Sequence, residues 1–479
     1  MKTSVRRFLA LSLSLAVLAT MAPRVHADDG AEVRRAFRSE MKSDNWKERR
    51  SAFVTLLDYD DKKTFDAALS ATLKDKNAAV QLAGIETLGK FESEEAHKAL
   101  LGELKRAKGE KAAVLLMALA EQKGHSGVDE LIALLGDKDP MKAGLAAIAL
   151  GAKKAPQAMA ALIDTLGHKD TRVRSGAARA LKAWAWSEMT KPAKGSGKVP
   201  EPKMPEWFEL EPIRDALMAA LDGAEGVFRG DVIEALEFIT KKDYGDNPAA
   251  WAAHAKGEEV TKKILRKRTY PAHFFGIPVY GKRIVVVMDA NVLTDREHPF
   301  KDRTRLQELC ENPGRAGLPW HKIKSVKHFN DAWVRRFFMD LPTSGVQFEL
   351  VRSGKKPKTL FGRLKPSNNG TKKSAIEEVE KAGVENENDI LTTMTYALDI
   401  SGKKDSVAWT KGPDVVCCVY SSVPWLAEET DAEVVGAAIG LKARRRLVKI
   451  HAAGVHEYAY AMMKLFAAQS GGTYKEMIK

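Results

Sequence analysis

Leu57, Leu88, Leu119, Leu150 and Leu181 follow one another at a constant step of 31 residues, and no other feature of the chain restricts its fold so strongly. A period of that length belongs to stacked supersecondary units, each too small to bury its own apolar face. Two more columns keep the step: Leu69, Leu100, Leu131 and Leu162, then Leu73, Leu104, Leu135 and Leu166. Within each unit the first two leucines, as Leu69 and Leu73, lie four residues apart, one turn along a single helical face, and the third, as Leu88, follows 15 residues on, past a break. Each unit is therefore predicted to be helix, turn, helix. Leu217, Leu221 and Leu236 restore the same register in a sixth unit, displaced by a 24-residue insertion at about 191–212, where Lys, Pro and Gly predict an exposed loop.

The second helix of several units opens on turn-favouring residues, Asp75-Lys76-Asn77, Asp137-Lys138-Asp139-Pro140 and His168-Lys169-Asp170. Asn and Asp there can accept from the free N–H groups of the first turn, and Pro140 suits a first helical position. Ala-rich stretches at 143–149 and 176–180 let neighbouring helices come close. In Asp170-Thr171-Arg172-Val173-Arg174 followed by Ala177-Ala178-Arg179-Ala180-Leu181 the sequence resembles HEAT-type repeats, over about residues 31–240. Solenoids present their inner helices on an extended concave face, which makes Arg172 and Arg179 candidates for partner binding. Arg174 is expected to join an inter-unit Asp–Arg ladder.

Lys2, Arg6 and Arg7 precede an apolar run at 8–21, and Val25-His26-Ala27 supplies small residues for cleavage, so residues 1–27 read as a signal peptide. The run is short for a membrane span, and no later segment is long and apolar enough to serve as one. An exported protein, periplasmic or extracellular, is expected. The 77 Lys and Arg against 63 Asp and Glu give a net charge of +14, and the chain stays basic after loss of the leader. Basic stretches at 262–268, 352–373 and 442–449 would meet protein or anionic cell-envelope ligands outside the cytoplasm, rather than nucleic acid.

Three cysteines do not make a disulfide framework. Cys417 and Cys418 are adjacent within a strand-like run, which sends them to opposite faces as small core residues. Cys310 is the odd thiol.

Beyond residue 280 the period changes. The β-branched run at 283–288, apolar on both faces and ending at Asp289, belongs inside a parallel sheet. Strand-like segments at 346–351, 415–420 and 447–451 then alternate with helix-like ones at 326–339, 390–398 and 458–469. That order builds a doubly wound α/β domain. The predicted fold class is thus an all-α solenoid at 28–240, a connector at 241–280 and an α/β doubly wound domain at 281–479.

This last segment resembles the von Willebrand factor type A domain. The family's Asp-x-Ser-x-Ser stands here as Asp289-Ala290-Asn291-Val292-Leu293, its second-loop Thr aligns with Thr392 ahead of Ala397-Leu398, and its Ser-Asp-Gly stands as Tyr420-Ser421-Ser422. The closing Ala468-Gln469-Ser470-Gly471-Gly472-Thr473-Tyr474 matches its last helix and glycine turn. Connector pieces around Tyr244 to Trp251 and Phe275 to Tyr280 resemble those of bacterial exported proteins that combine HEAT repeats with this domain. The resemblance implies a Mg²⁺ site built from three loops and completed by a partner's carboxylate. In this chain Asp289, Asn291 and Thr392 could contribute oxygens, but Leu293 offers none and Ser421 replaces a carboxylate with a hydroxyl. Mg²⁺ needs near-octahedral oxygen geometry, so the expectation is a degenerate site without a cofactor. The functional expectation is a non-catalytic exported interaction or adhesion protein. Metal-dependent adhesion through a weakened Mg²⁺ site is one alternative. An envelope hydrolase using His451, His456, Glu457 or the Ser421-Ser422 pair is the other, although no G-x-S-x-G, H-E-x-x-H or P-loop pattern accompanies them.

Overall fold

The computed structural model describes residues 29–123, 127–185, 188–189, 202–203, 210–265, 271–289, 303–310, 318, 320–384, 388–400, 411–421, 429–455 and 460–477. The expected leader and most of the expected 191–212 insertion lie outside the described residues. The amino-terminal region opens with α1 (Asp29–Glu40) and α2 (Trp46–Ala52), the latter continued by a 3-10 turn at Phe53–Asp58. Paired helices follow: α3 (Lys62–Lys74) and α4 (Ala78–Lys90), α5 (Glu94–Arg106) and α6 (Gly109–Glu121), α7 (Val128–Leu134) and α8 (Pro140–Lys153), α9 (Met159–Thr165) and α10 (Thr171–Ala185). A short pairing of β1 (Glu188–Met189) with β2 (Pro202–Lys203) precedes the last pair, α11 (Leu210–Leu221) and α12 (Gly226–Thr240).

Leu88, Leu119, Leu150, Leu181 and Leu236 are all fully buried on the second helices, and Leu69, Leu100, Leu131, Leu162 and Leu217 are buried on the first. Leu57 departs from its column. It is half-buried in the 3-10 turn, whose tighter winding hands the buried place to Leu56. Second helices pack on one another in the order α4, α6, α8, α10, α12. At the α8–α10 seam the backbones nearly touch: a Cβ on Gly176 would lie 2.6 Å from the Gly144 carbonyl oxygen, and one on Gly151 would lie 2.7 Å from Ala180 Cα. The predicted caps form as a repeated two-step device. Asp75 accepts from Asn77 N–H, and Asn77 then accepts from Ala79 and Val80 N–H at the start of α4. Asp137 with Asp139 repeats it at α8, and His168 with Asp170 at α10.

The connecting stretch carries α13 (Pro248–Ala255), α14 (Lys262–Leu265) and the hairpin of β3 (His273–Phe274) with β4 (Ile277–Pro278). It is built into both cores. Trp251 is buried with the helical layers, its indole N–H donating to the Gly245 carbonyl at 2.9 Å, while Phe275 stacks on Trp333 of the sheet domain.

The carboxy-terminal domain is formed by β5 (Arg283–Asp289), α15 (Arg303–Cys310), α16 (Val326–Asp340), β6 (Gln347–Ser353), the short β7 (Lys358–Thr359) and β8 (Lys365–Pro366), then α17 (Asn369–Lys381) and α18 (Ile390–Asp399). β9 (Val415–Tyr420), α19 (Glu429–Arg445), β10 (Lys449–Gly454), α20 (Tyr460–Ser470) and β11 (Tyr474–Glu476) complete it. The strand order is β11-β10-β9-β5-β6-β7, parallel from β11 to β6, with β7 and β8 antiparallel to β6. This is the doubly wound arrangement. Ile284, Val286 and Met288 pack on one face with α16 and α17, and Val285 and Val287 on the other with α18, α19 and α20. Cys417 and Cys418 divide between the same two faces, and all three cysteines are buried thiols outside any disulfide. β10 begins two residues later than the predicted strand at Leu447, because Leu447 adopts a left-handed turn (φ 56°) that buries it against the helical layers.

The two regions are joined along the inner helices. Ala438 and Leu441 of α19 enter the apolar core of the solenoid. Around them run ionic contacts: Arg445 donates to Glu110 and to Gln81, Lys47 lies 2.6 Å from Asp431, and Lys449 lies 2.7 Å from both Asp231 and Glu234. The inner face, expected to be open to partners, therefore holds the molecule's own sheet domain.

Candidate functional site

β5 and β9 lie side by side, and the chain leaves them for opposite halves of the sheet, so their carboxyl ends flank the crevice where open α/β sheets take ligands. Asp289 ends β5 and Ser421 follows β9. One carboxylate oxygen of Asp289 accepts from the Asn388 side-chain amide at 2.9 Å, the other from Ser421 N–H at 3.0 Å. Ser353, the last residue of β6, donates to Asn388 Oδ1, and its hydroxyl lies 3.2 Å from Thr393 Oγ1 and 3.4 Å from the Tyr420 hydroxyl. Asn330 of α16 donates to Ser421 Oγ at 2.6 Å, while its own Oδ1 is buried without a partner. Burial pushes the Tyr420 hydroxyl well above its ordinary range, so it acts as a neutral donor. Beside Asp289, Lys327, Asn330 and Asp331 line a cavity of about 10 Å³, room for no more than a single water.

The structure brings Asp289 and Ser421 together but turns Thr392 elsewhere. Thr392 is exposed at the start of α18, where its hydroxyl and N–H both donate to Asp389, the capping residue. Thr393 takes the buried place in the cluster instead. Asn291, Leu293 and Ser422 lie outside the described residues. Among the described residues no three His, Cys, Asp or Glu side chains converge as a metal-binding group. Among the described residues the oxygens at this edge are one carboxylate already accepting two N–H bonds, two serine hydroxyls, a threonine hydroxyl and the Asn330 amide oxygen, a set with a single, already engaged charge, which suits Mg²⁺ poorly.

His451 lies on β10 opposite Cys417, four residues along the paired strand from Ser421 and hence about 13 Å from it at strand spacing. No hydrogen bond can join them. His451 Nδ1 accepts from Thr473 N–H at 3.2 Å, and burial, reinforced by the charge of Lys449, pushes its pKa down to about 4, so the ring is neutral. Its surroundings are a buried ionic cluster spanning both regions: Arg179 and Lys449 on Asp231, with Lys449 and Lys182 on Glu234. Burial works against the Glu234 charge, but Lys449 and Lys182 outweigh it and hold the carboxyl well below the usual range. His456 and Glu457 lie outside the described residues.

Arg179, expected on a partner-binding surface, is consumed in that cluster, 3.0 Å from Asp231 and within reach of the Ser470 carbonyl. Among the described residues Arg174 joins no Asp–Arg ladder; its guanidinium sits 4.5 Å over the Phe228 ring. Arg172 pairs with Asp170 of its own turn and faces a cleft of about 680 Å³ between the solenoid and the amino edge of the sheet. Asn330, Ser353, Asn388 and Thr393 carry no spacing signal in the sequence. Only the position of Ser353 as the last residue of a largely apolar strand, as Asp289 ends its own, marks it.

Residues 128–192 match the HEAT repeats family. None of the curated proteins matches the chain. Among solved structures, a von Willebrand factor type A protein from Catenulispora acidiphila is similar at 11% identity and a TM-score of 0.28, over 42% of this chain and 40% of that one. An engineered protein is similar at 19% identity and a TM-score of 0.24, over 44% of this chain and 97% of that one. The chain thus spans less than half the length of the first, and at these scores neither likeness bears on the fold. What the chain's own geometry and the family match establish is a HEAT-like helical-repeat region followed by a doubly wound α/β domain.

Proposed function

We propose that this chain is a non-catalytic, exported protein-interaction scaffold in which the repeat solenoid grips an α/β domain and holds its carboxyl edge toward a protein or anionic envelope partner. The carrying observation is the occupation of the solenoid's inner helices by α19 and β10, which fixes the domain instead of leaving it on a tether. The edge around Asp289 is closed by its own hydrogen bonds, which favours surface recognition over metal chemistry. Reading residues 1–27 as a cleaved leader places the scaffold in the periplasm or outside the cell. Affinity capture with the whole mature chain from envelope extracts is expected to retain one polypeptide in stoichiometric amount. Hydrolytic turnover lost in Ser421→Ala, with the fold intact, would replace this reading with an enzyme. The metal-dependent alternative rests on Asp289 standing at the switch point; saturable Mg²⁺ or Mn²⁺ binding by calorimetry, abolished in Asp289→Ala, would establish it.

A further inference from the structure

The turns that join the two helices of successive repeat units carry a lysine at a nearly fixed place. Lys76, Lys138 and Lys169 each stand immediately before the residue that caps a second helix, Asn77, Asp139 and Asp170. Lys169 follows Lys138 by one 31-residue step and Lys138 follows Lys76 by two; the position between is Ala107, and Lys108 beside it is the residue at the amino cap of α6. All four lysines are exposed. The second helices pack in the order α4, α6, α8, α10, and packed helices stand roughly 8–10 Å apart, so the lysines form a row of about 24–30 Å along one rim of the solenoid. The row is bounded. The turn before α2 sets Asp44 beside Lys42, and the turn before α12 is acidic, with Asp222 and Glu225.

Helix stability does not account for this row. A cation at the amino end of a helix opposes the macrodipole, and the capping is done by the neighbouring Asn and Asp. Nor is the charge cancelled in place, because the acids of the same turns are spent inward: Asp75 lies 2.7 Å from Arg49, Asp137 3.2 Å from Lys142 and Asp170 2.7 Å from Arg172, while Glu110 pairs with the buried Arg445. Among the described residues no carboxylate lies within ion-pair distance of Lys76, Lys108, Lys138 or Lys169. Turns that are close to neutral in sequence thus become a basic rim in space. Lys74 and Lys105, exposed in the last turns of α3 and α5, lie beside the row, although there they also suit the helix dipole.

We propose that this rim docks on the surface of an anionic lipid bilayer, its lysines contacting the phosphate-bearing headgroups. The four cations are lysines, point charges without the planar fork by which arginine grips a single phosphate, and no Phe, Tyr or Trp stands in these turns to stack a base. Such a row suits a plane of many anions. The exposed large apolar side chains, Val54, Leu265, Met339 and Tyr396, lie elsewhere, so the contact is electrostatic and peripheral, without insertion. This surface is separate from the carboxyl edge assigned above to partner recognition. The start of α10, next to Lys169, walls one cleft with the opposite, amino edge of the sheet, so docking by the rim leaves the carboxyl edge free.

Co-sedimentation of the chain from Asp28 onward, without the apolar leader, tests it with vesicles of equal parts phosphatidylglycerol and phosphatidylcholine. Binding is expected to these vesicles and not to phosphatidylcholine alone, with release as salt is raised. A basic group near an anionic leaflet strengthens binding about fivefold, so the variant combining Lys76→Ala, Lys108→Ala, Lys138→Ala and Lys169→Ala should bind roughly a hundredfold more weakly or worse. Its thermal midpoint should stay that of the parent, since all four side chains are exposed. The matched variant Lys355→Ala, Lys356→Ala, Lys358→Ala and Lys365→Ala, which strips the same charge from the β7–β8 edge of the sheet, should bind nearly as the parent does. No binding to the anionic vesicles, or an equal loss in both variants, overturns the proposal. Retention by soluble polyglutamate without vesicle binding also overturns it, and would assign the rim to an acidic polypeptide.

Discussion

The solenoid interior and its junction with the sheet domain are buried to similar depth by opposite means. Inside the repeats, leucine columns and alanine or glycine contacts fill the seams, so each unit's stability is set by area and close approach. At the junction, Asp231, Lys449 and Arg445 are almost wholly buried and paired with one another's regions. Apolar seams tolerate translation by one repeat, since every unit offers the same surface. An ionic cluster does not: a charge left unpaired there is costly, so the junction specifies which helices the domain may sit on.

The largest effect should come from breaking that cluster. Asp231→Ala leaves Arg179 and Lys449 without their shared acceptor, and a loss of about 3–5 kcal/mol is expected in denaturant unfolding. A loss below about 1 kcal/mol would erase the contrast between junction and seam.

Acid acts on the same region. The folded His451 pKa lies at about 4 against an ordinary 6.5, so between these values the unfolded chain takes up a proton that the folded chain refuses. Stability is therefore complete above pH 6.5 and falls as pH drops toward 4, by about 3 kcal/mol from this group. The lowered Glu234 carboxyl extends the loss to still lower pH. His451→Asn should flatten the decline between pH 6.5 and 4 in denaturation midpoints, while the seams contribute no such slope.

Gly176→Ala probes the seam alone. A Cβ 2.6 Å from a backbone oxygen forces α8 and α10 apart, at an expected cost of about 1–3 kcal/mol that does not vary with pH. Smallest of all, Asn388→Ala at the carboxyl edge should cost about 1–2 kcal/mol by removing its hydrogen bond to Asp289, and added Mg²⁺ should not restore it in thermal melts.

The repeat half was readable because periodic burial writes itself into sequence: every second-helix leucine from Leu88 to Leu236 is buried, and the caps at Asn77, Asp139 and Asp170 do what their residue types allow. Only the end unit slipped, where a 3-10 turn moved Leu57 outward. In the sheet domain, β5 and β9 were legible from β-branched runs apolar on both faces. The docking was not legible. Arg179 looked like a surface group because the carboxylate that neutralises it, Asp231, stands 52 residues away in another unit, and its fellow cation Lys449 is a single charge in an apolar strand. At the carboxyl edge, Asp289 and Ser421 were found from motif position, whereas Thr393 displaced Thr392 because the Asp389 cap fixes which threonine faces inward.

A double-mutant cycle between Asp231 of the solenoid and Lys449 of the sheet domain tests most directly whether the two regions form one body. Unfolding free energies of Asp231→Ala, Lys449→Ala and the pair together should reveal a coupling of roughly 1–3 kcal/mol. Additivity within about 0.5 kcal/mol would contradict it, and would leave the sheet domain free of the helices that are described as holding it.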